Sequence, residues 1–149
     1  MAGSTSSRSA AQRRKARESN NSGRERYRRY LKSFLRAGGK GDDAWKKIVG
    51  HKLEIVPLSD PTGLKKADTF AVRVLFDGKP LSGAKVTAFS RDGVKVKDRW
   101  VRTTAKGEAA FKIGGSGVHL VRLVFMRRAK DDREADWHSW WAAMTFEVN

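Results

Sequence analysis

From about residue 50 onward the apolar positions fall into a two-residue rhythm. In "TFAVRVLF" (69–76), Phe70, Val72, Val74 and Phe76 share one side, and Thr69, Ala71, Arg73 and Leu75 the other. A half-buried strand produces this alternation, because successive side chains point to opposite faces. "KLEIVPL" (52–58), "AKVTAFS" (84–90), "RWVRT" (99–103) and "EAAFKI" (108–113) read as further strands. "VHLVRLVFM" (118–126) is apolar on both faces apart from Arg122 and reads as an interior strand. The last run begins "WHSWWAAMTF". It places His138, Trp140, Ala142, Met144, Phe146 and Val148 on a nearly apolar face, with Trp137, Ser139, Trp141, Ala143, Thr145 and Glu147 opposite. Turn signals separate the runs: "DGKP" (77–80), Asp92-Gly93 within "RDGVKVKD", and "TAKG" ending at Gly107. About seven short strands over 50–149 predict a mainly β chain, an Ig-like or transthyretin-like antiparallel β-sandwich.

Upstream the rhythm changes. In "GRERYRRYLKSFLRAGG", Tyr27, Tyr30, Leu31, Phe34 and Leu35 follow the spacing of one helical stripe, and Gly38 and Gly39 supply a stop. Residues 23–49 are therefore expected to be an amphipathic helix and a linker. A helix this short is marginal in water and needs a surface to cover. The mixed face of the last strand offers one, so the helix is expected to shield Trp137 and Trp141 through Tyr27, Tyr30, Leu31 and Phe34. Left uncovered, Trp137 and Trp141 would be a candidate binding surface. Residues 1–22 are polar, Ser/Arg/Asn-rich and without period, and read as a disordered basic tail.

Composition narrows the possibilities. The 149 residues suffice for one ordinary domain. The absence of cysteine excludes disulfides, thiolate metal sites and a thiol nucleophile. No apolar run approaches the roughly 20 residues that span a bilayer. The first residues carry bases but no apolar stretch after them, so they are not a secretory signal as written. The formal charge is +16, of which residues 1–40 contribute +10 and residues 41–149 only +6. Arg13, Arg14, Lys15, Arg17, Arg24, Arg28 and Arg29 could thus contact nucleic acid or another anionic polymer through its phosphates. The plainer alternative is a solvated tail.

The search for chemistry returns little. Three histidines, His51, His119 and His138, show no metal-ligand spacing. His119 and His138 begin two predicted strands, and would meet only if those strands run side by side in one direction. The acids of "AKDDREADW" lack the glycine and closing glutamate of a calcium loop, and read as a surface loop neutralised by Arg127, Arg128, Lys130 and Arg133. "IGGSGVH" lacks phosphate-loop spacing and reads as a turn. No nucleophile elbow or nucleophile–base pair is present, so no enzyme is expected.

Several pieces occur together in order: "LEIVPLSDPTGLKKADTFAVRVLFDGKPLSGAKVTAFS", "TTAKGEAAFKI", and "GVHLVRLVFMRRAK" followed by "ADWHSWWAAMTFEV". This series resembles the C-terminal half of a bacterial envelope family that carries a domain of unknown function. The family is assigned by context to nickel/cobalt uptake as a periplasmic component. "RERYRRYLKSFLRAGG" resembles the segment that enters this half, so the likeness covers roughly residues 22–149. "GKPLSGAKVTA" and "TAKGEAAF" also resemble transthyretin-like and carboxypeptidase-regulatory-like sandwiches. The resemblance implies a periplasmic, non-catalytic binding or accessory domain, transporter subunits as partners, and nickel or cobalt as the associated metal. Two departures stand out. The family's signal and N-terminal domain are not seen, so the chain reads as a fragment, or as a product started inside a longer frame that would be cytoplasmic if its start is genuine. The family also often has a histidine where this chain has Phe125.

If the basic arm binds an anionic polymer, DNA retention should fall steeply with added salt and be lost on deleting residues 1–22. Filter retention over a salt series checks this.

Overall fold

The computed structural model describes residues 23–39 and 41–149. They form nine strands: β1 (Glu25–Ser33), β2 (Leu53–Pro57), β3 (Thr69–Phe76), β4 (Lys79–Pro80), β5 (Lys85–Asp92), β6 (Lys95–Arg102), β7 (Glu108–Lys112), β8 (Gly117–Arg128) and β9 (Trp137–Val148). Ala44–Lys46 and Pro61–Gly63 are single 3₁₀ turns. One sheet has the order β1-β9-β8-β5-β6. In the other, β2 pairs with β3, while β4 and β7 also pair with β3, all antiparallel. The chain is mainly β in two sheets, as the alternation predicts, and each of the seven sequence-predicted runs contains a strand.

The expected helix is absent. Residues 25–33 are a strand, and this overturns the expected covering of Trp137 and Trp141. The physical reason lies in which residues the segment buries. Tyr30, Lys32 and Phe34 are half-buried at every second position, whereas Tyr27, Leu31 and Leu35 of the supposed stripe are 56%, 69% and 91% exposed. Aromatic side chains suit strands, and a sheet edge offers backbone partners that an isolated short helix cannot replace with tertiary contacts. The pairing is legible from its contacts. Arg29 lies over Trp141, the Ser33 and Thr145 hydroxyls are 2.7 Å apart, and the Phe34 N–H donates to the Thr145 carbonyl at 3.0 Å. The offset of 112 positions between Arg29 and Trp141 and between Ser33 and Thr145 means that β1 runs parallel to β9 here.

The described residues divide into two compact units, one joining residues up to Arg28 with Met126–Ser139, the other joining Arg29–Phe125 with Trp140–Asn149. In the larger unit the two sheets share one core. Phe70, Val72, Val74 and Ile55 come from one sheet, and Val86, Val121, Met144 and Phe146 from the other. Phe70 meets Phe146 edge-on at 4.9 Å, and Phe76 meets Trp140 at 4.9 Å. The even-numbered face of β9 from Trp140 to Val148 is buried throughout, which fits the alternation of its sequence. Gly107, at φ +75°, closes its turn where a β-carbon would come 2.7 Å from the Val74 carbonyl oxygen.

A buried ion pair fastens β1 to β2. Lys32 Nζ lies 2.6 Å from Glu54 Oε1 and 3.2 Å from the Ile55 carbonyl. The Glu54 side chain is 1% exposed. Its carboxylate also accepts backbone N–H groups of Val49, Gly50 and His51 at 2.8, 3.0 and 3.1 Å. Burial pushes the Glu54 pKa up, but the hydrogen bond and charge of Lys32 and the Val49 and Gly50 N–H groups outweigh it and hold the group below its ordinary value.

Removing one partner leaves the other buried and unpaired, so Glu54→Ala should cost about 3–5 kcal/mol in denaturant unfolding. Because the folded pKa is lowered, the stability from Glu54 is present above its unfolded pKa and lost as pH falls through the folded one. Glu54→Gln should flatten that acid limb of the stability profile.

Candidate functional site

At one end of the shared core the inner face of the first sheet turns polar. Val86 and Val101 pair across β5 and β6 inside the core. Two pleats on, Ala88 pairs with Arg99, and two further on Ser90 pairs with Lys97. On its other side β5 places Ser90 opposite His119 and Ala88 opposite Val121. One row of this face thus carries Lys97, Ser90 and His119, next to the row that carries Arg99. A cavity of about 30 Å³ opens here, with Phe70, Phe111, Phe146 and Val121 in its lining and Lys97, Arg99 and Lys112 beside them. A space of this size admits a water molecule or a small polar head group.

Local sequence explains the geometry. The glycine-rich turn 113–117 lets the chain pass from β7 to β8. Gly117 has φ +99°, and a β-carbon there would lie 2.4 Å from the Arg91 carbonyl oxygen, so the position requires glycine. The Gly115 carbonyl lies 2.9 Å from His119 Nε2. The His119 ring, 6% exposed, stacks on Phe146 at 5.5 Å. A β-carbon on Gly114 would lie 3.9 Å from Arg99 Nη2, so the arginine reaches along the turn.

A second groove, of about 530 Å³, is lined by Phe34, Leu35, Trp45 and Lys47 among others. Two of its cations are engaged elsewhere: Lys32 with Glu54, and Arg36 with Asp60 at 2.5 Å. Lys97, Arg99 and Lys112 form no ion pair among the described residues.

The other sequence-predicted residues are placed as follows. His138 Nε2 lies 2.8 Å from Asp132 Oδ2, and Arg26 Nε reaches the same oxygen at 3.1 Å. The hydrogen bond from His138, then the Glu134 N–H and the Arg26 charge, hold Asp132 below the usual carboxylate range. Arg26 also binds Glu134, and Arg24 binds Asp136 through its side chain and its N–H, with Asp136 lowered as a result. Arg24 and Arg26 thus pair with the acids of this loop, His138 hydrogen-bonds one of them, and the Arg128 charge also acts on Asp136. Arg128 also lies over the Trp137 ring at 5.2 Å. Trp137 is 4% exposed, Trp141 half-buried beneath Arg29, and the Arg28 side chain exposed. Arg13, Arg14, Lys15 and Arg17 lie outside the described residues. Phe125 packs against Phe76 at 4.8 Å and Trp140 at 6.1 Å. Among the described residues no group of three or more His, Asp or Glu is arranged to hold a metal ion.

Sequence reasoning finds His119 but misses Ser90, Lys97, Arg99 and Lys112 as its neighbours. The available signal is that Lys97, Arg99 and Val101 share one strand phase. The Asp92-Gly93 turn is where the sequence puts it, but starting the next strand at 99 instead of Lys95 hides the signal.

Residues 3–127 match the family described as a domain of unknown function, DUF4198. The chain belongs to the DUF4198 family. No curated protein matches it. Most of the cleft falls inside the matched span: β5, β6, β7, the glycine turn and His119 all do, while Phe146 lies beyond it.

Gly117→Ala should strain this turn and lower stability by about 1–3 kcal/mol. Chemical denaturation checks the cost, and the His119 ring signals in NMR should move with it.

Proposed function

We propose that this DUF4198 chain is a non-catalytic binding or accessory domain with a transthyretin-like β-sandwich. The resemblance in its strand and turn sequences supports reading it as a relative of periplasmic components of nickel/cobalt uptake, and transporter subunits are the partners this reading implies. The observation that carries the binding role is the polar row Lys97–Ser90–His119 on the inner face of a sheet. His119 is buried, Ser90 half-buried and Lys97 exposed, so polar groups run from the core edge out to the mouth of a cavity, an arrangement that favours recognition over packing.

The chain's histidines support an accessory role over a metal-holding one. His119 Nε2 is engaged by the Gly115 carbonyl, and His138 Nε2 by Asp132, which Arg26 also claims. Either ring could still offer Nδ1 to a metal, but among the described residues no group of three or more His, Asp or Glu is arranged to complete a site, and at Asp132 a metal would meet a guanidinium. Calorimetric titration with nickel or cobalt should therefore show no one-site binding at micromolar affinity. Such binding, lost in His119→Ala or His138→Ala, would make this chain the metal carrier instead.

The second reading, an anionic-polymer binder, draws on the charge of residues 1–40 and on the exposed Arg28. Against it, Arg24 and Arg26 are committed to acidic partners within their own unit. Amide NMR titration with a duplex oligonucleotide separates the two. Salt-sensitive shifts concentrated before residue 30 would favour the polymer, and their absence the binding-domain reading.

A further inference from the structure

We infer that the end cleft binds the oxyanion group, carboxylate or phosphate, of a small ligand. The inference rests on the binding-domain reading and names the ligand class. Three observations converge. Lys97 and Arg99, in the same strand phase as the core residue Val101, border one small cavity, Lys112 lines it from the phase opposite to the buried Phe111, and no carboxylate is among its lining residues. None of the three has an ion-pair partner among the described residues; Lys65, Lys66, Lys79, Lys95 and Lys106 share that, and what sets the three apart is that they stand together at one cavity. The Ser90 hydroxyl stands in the same row and can donate to an oxyanion, whereas the His119 Nε2–H is taken by the Gly115 carbonyl.

Size and chemistry select the class. A space of about 30 Å³ takes a head group, not a nucleotide or a peptide segment. A guanidinium matches the two-oxygen edge of a carboxylate or phosphate, and ammonium groups beside it add charge without directional demands. The phenyl rings of Phe70, Phe111 and Phe146 exclude water from the inner wall, where charge-assisted hydrogen bonds gain strength. The glycine turn brings backbone close to the Arg99 guanidinium, which restricts where it can swing. The contrasting explanation is that Lys97 and Arg99 point inward from β6, an edge strand, only to deter pairing with another chain. That role needs charge but no localised ligand.

The test is an amide NMR titration of the full chain with inorganic phosphate, and separately with acetate, at constant ionic strength. Saturable shifts centred on Ser90, Gly114 and His119 are expected. The anion that saturates at the lower concentration identifies phosphate or carboxylate as the preferred group. Lys97→Gln combined with Arg99→Gln should weaken that binding at least tenfold. Lys65→Gln with Lys66→Gln, removing the same net charge from an exposed loop, should change it less than twofold. Both pairs lie at exposed positions, so folding is preserved and a far-ultraviolet dichroism spectrum verifies it. Equal weakening in both double variants, shifts scattered over surface lysines, or no saturable response with either anion would overturn the inference and leave the edge-protecting role. That outcome is distinguishable from failure of the accessory-domain reading, which one-site nickel or cobalt binding would signal.

Discussion

The contact between Lys32 and Glu54 sets the terms for much of the larger unit. It joins the first strand of one sheet to the first strand of the other, across the layer that the two sheets fill with apolar side chains. Burying two charges is costly, and it is tolerated only when every remaining polar site is satisfied. Here the carboxylate accepts three consecutive backbone N–H groups besides the ammonium, and the ammonium finds a backbone carbonyl. The pair therefore orders residues 49–51 as well as β1. Its position also fixes the register of β1. A slip by one residue would turn Lys32 outward and point Leu31 and Ser33 inward, stranding Glu54 in the core.

That register explains why the strand reads as a helix in sequence. Tyr30 and Phe34 are four apart, a spacing that serves a helical face and a strand face equally well. The residue between them on the strand face is Lys32, a polar residue that breaks the apparent alternation. Only a buried acid on another element makes a lysine an interior residue, and no local pattern reveals that partner. Elsewhere the alternation is unopposed. β3 and the even face of β9 carry apolar side chains at every inward position, and their strands are legible directly. The start of β6 fails for the same reason as β1. Lys97 and Arg99 occupy inward positions, and inward cations look like a turn or a loop when pattern is the only guide.

The candidate cleft was half legible on the same grounds. His119 drew attention as a histidine, and the glycine run as a turn. Their meeting with Ser90 and Lys97 depends on β5 standing between β8 and β6, a neighbour relation set by the whole sheet. The tryptophans illustrate the converse. Their density suggested either a helix cover or a binding surface, yet Trp137 and Trp141 each lie under an arginine plane, and Trp140 fills the core. Arginine can cover an aromatic face while keeping its charge in contact with water, so no apolar element is needed for the task.

These uses of arginine bear on what the positive charge is for. A formal charge of +16 suggests a surface committed to anionic partners, but within the described residues many cations have internal duties. Arg24 and Arg26 neutralise an acidic loop, Arg29 and Arg128 cover tryptophans, and Lys32, Arg36 and Arg73 pair with single carboxylates. Net charge therefore overstates the electrostatic reach of this part of the chain, because a paired cation contributes little field beyond its partner. Cations that stand together without a partner are more informative than the total. Around the end cleft three of them border one cavity beside a hydroxyl and an imidazole, where the packing rule for an inner sheet face would have placed aliphatic side chains. Other unpaired cations among the described residues stand on open surface; these border a cavity, and that gives an anionic ligand its clearest opening here.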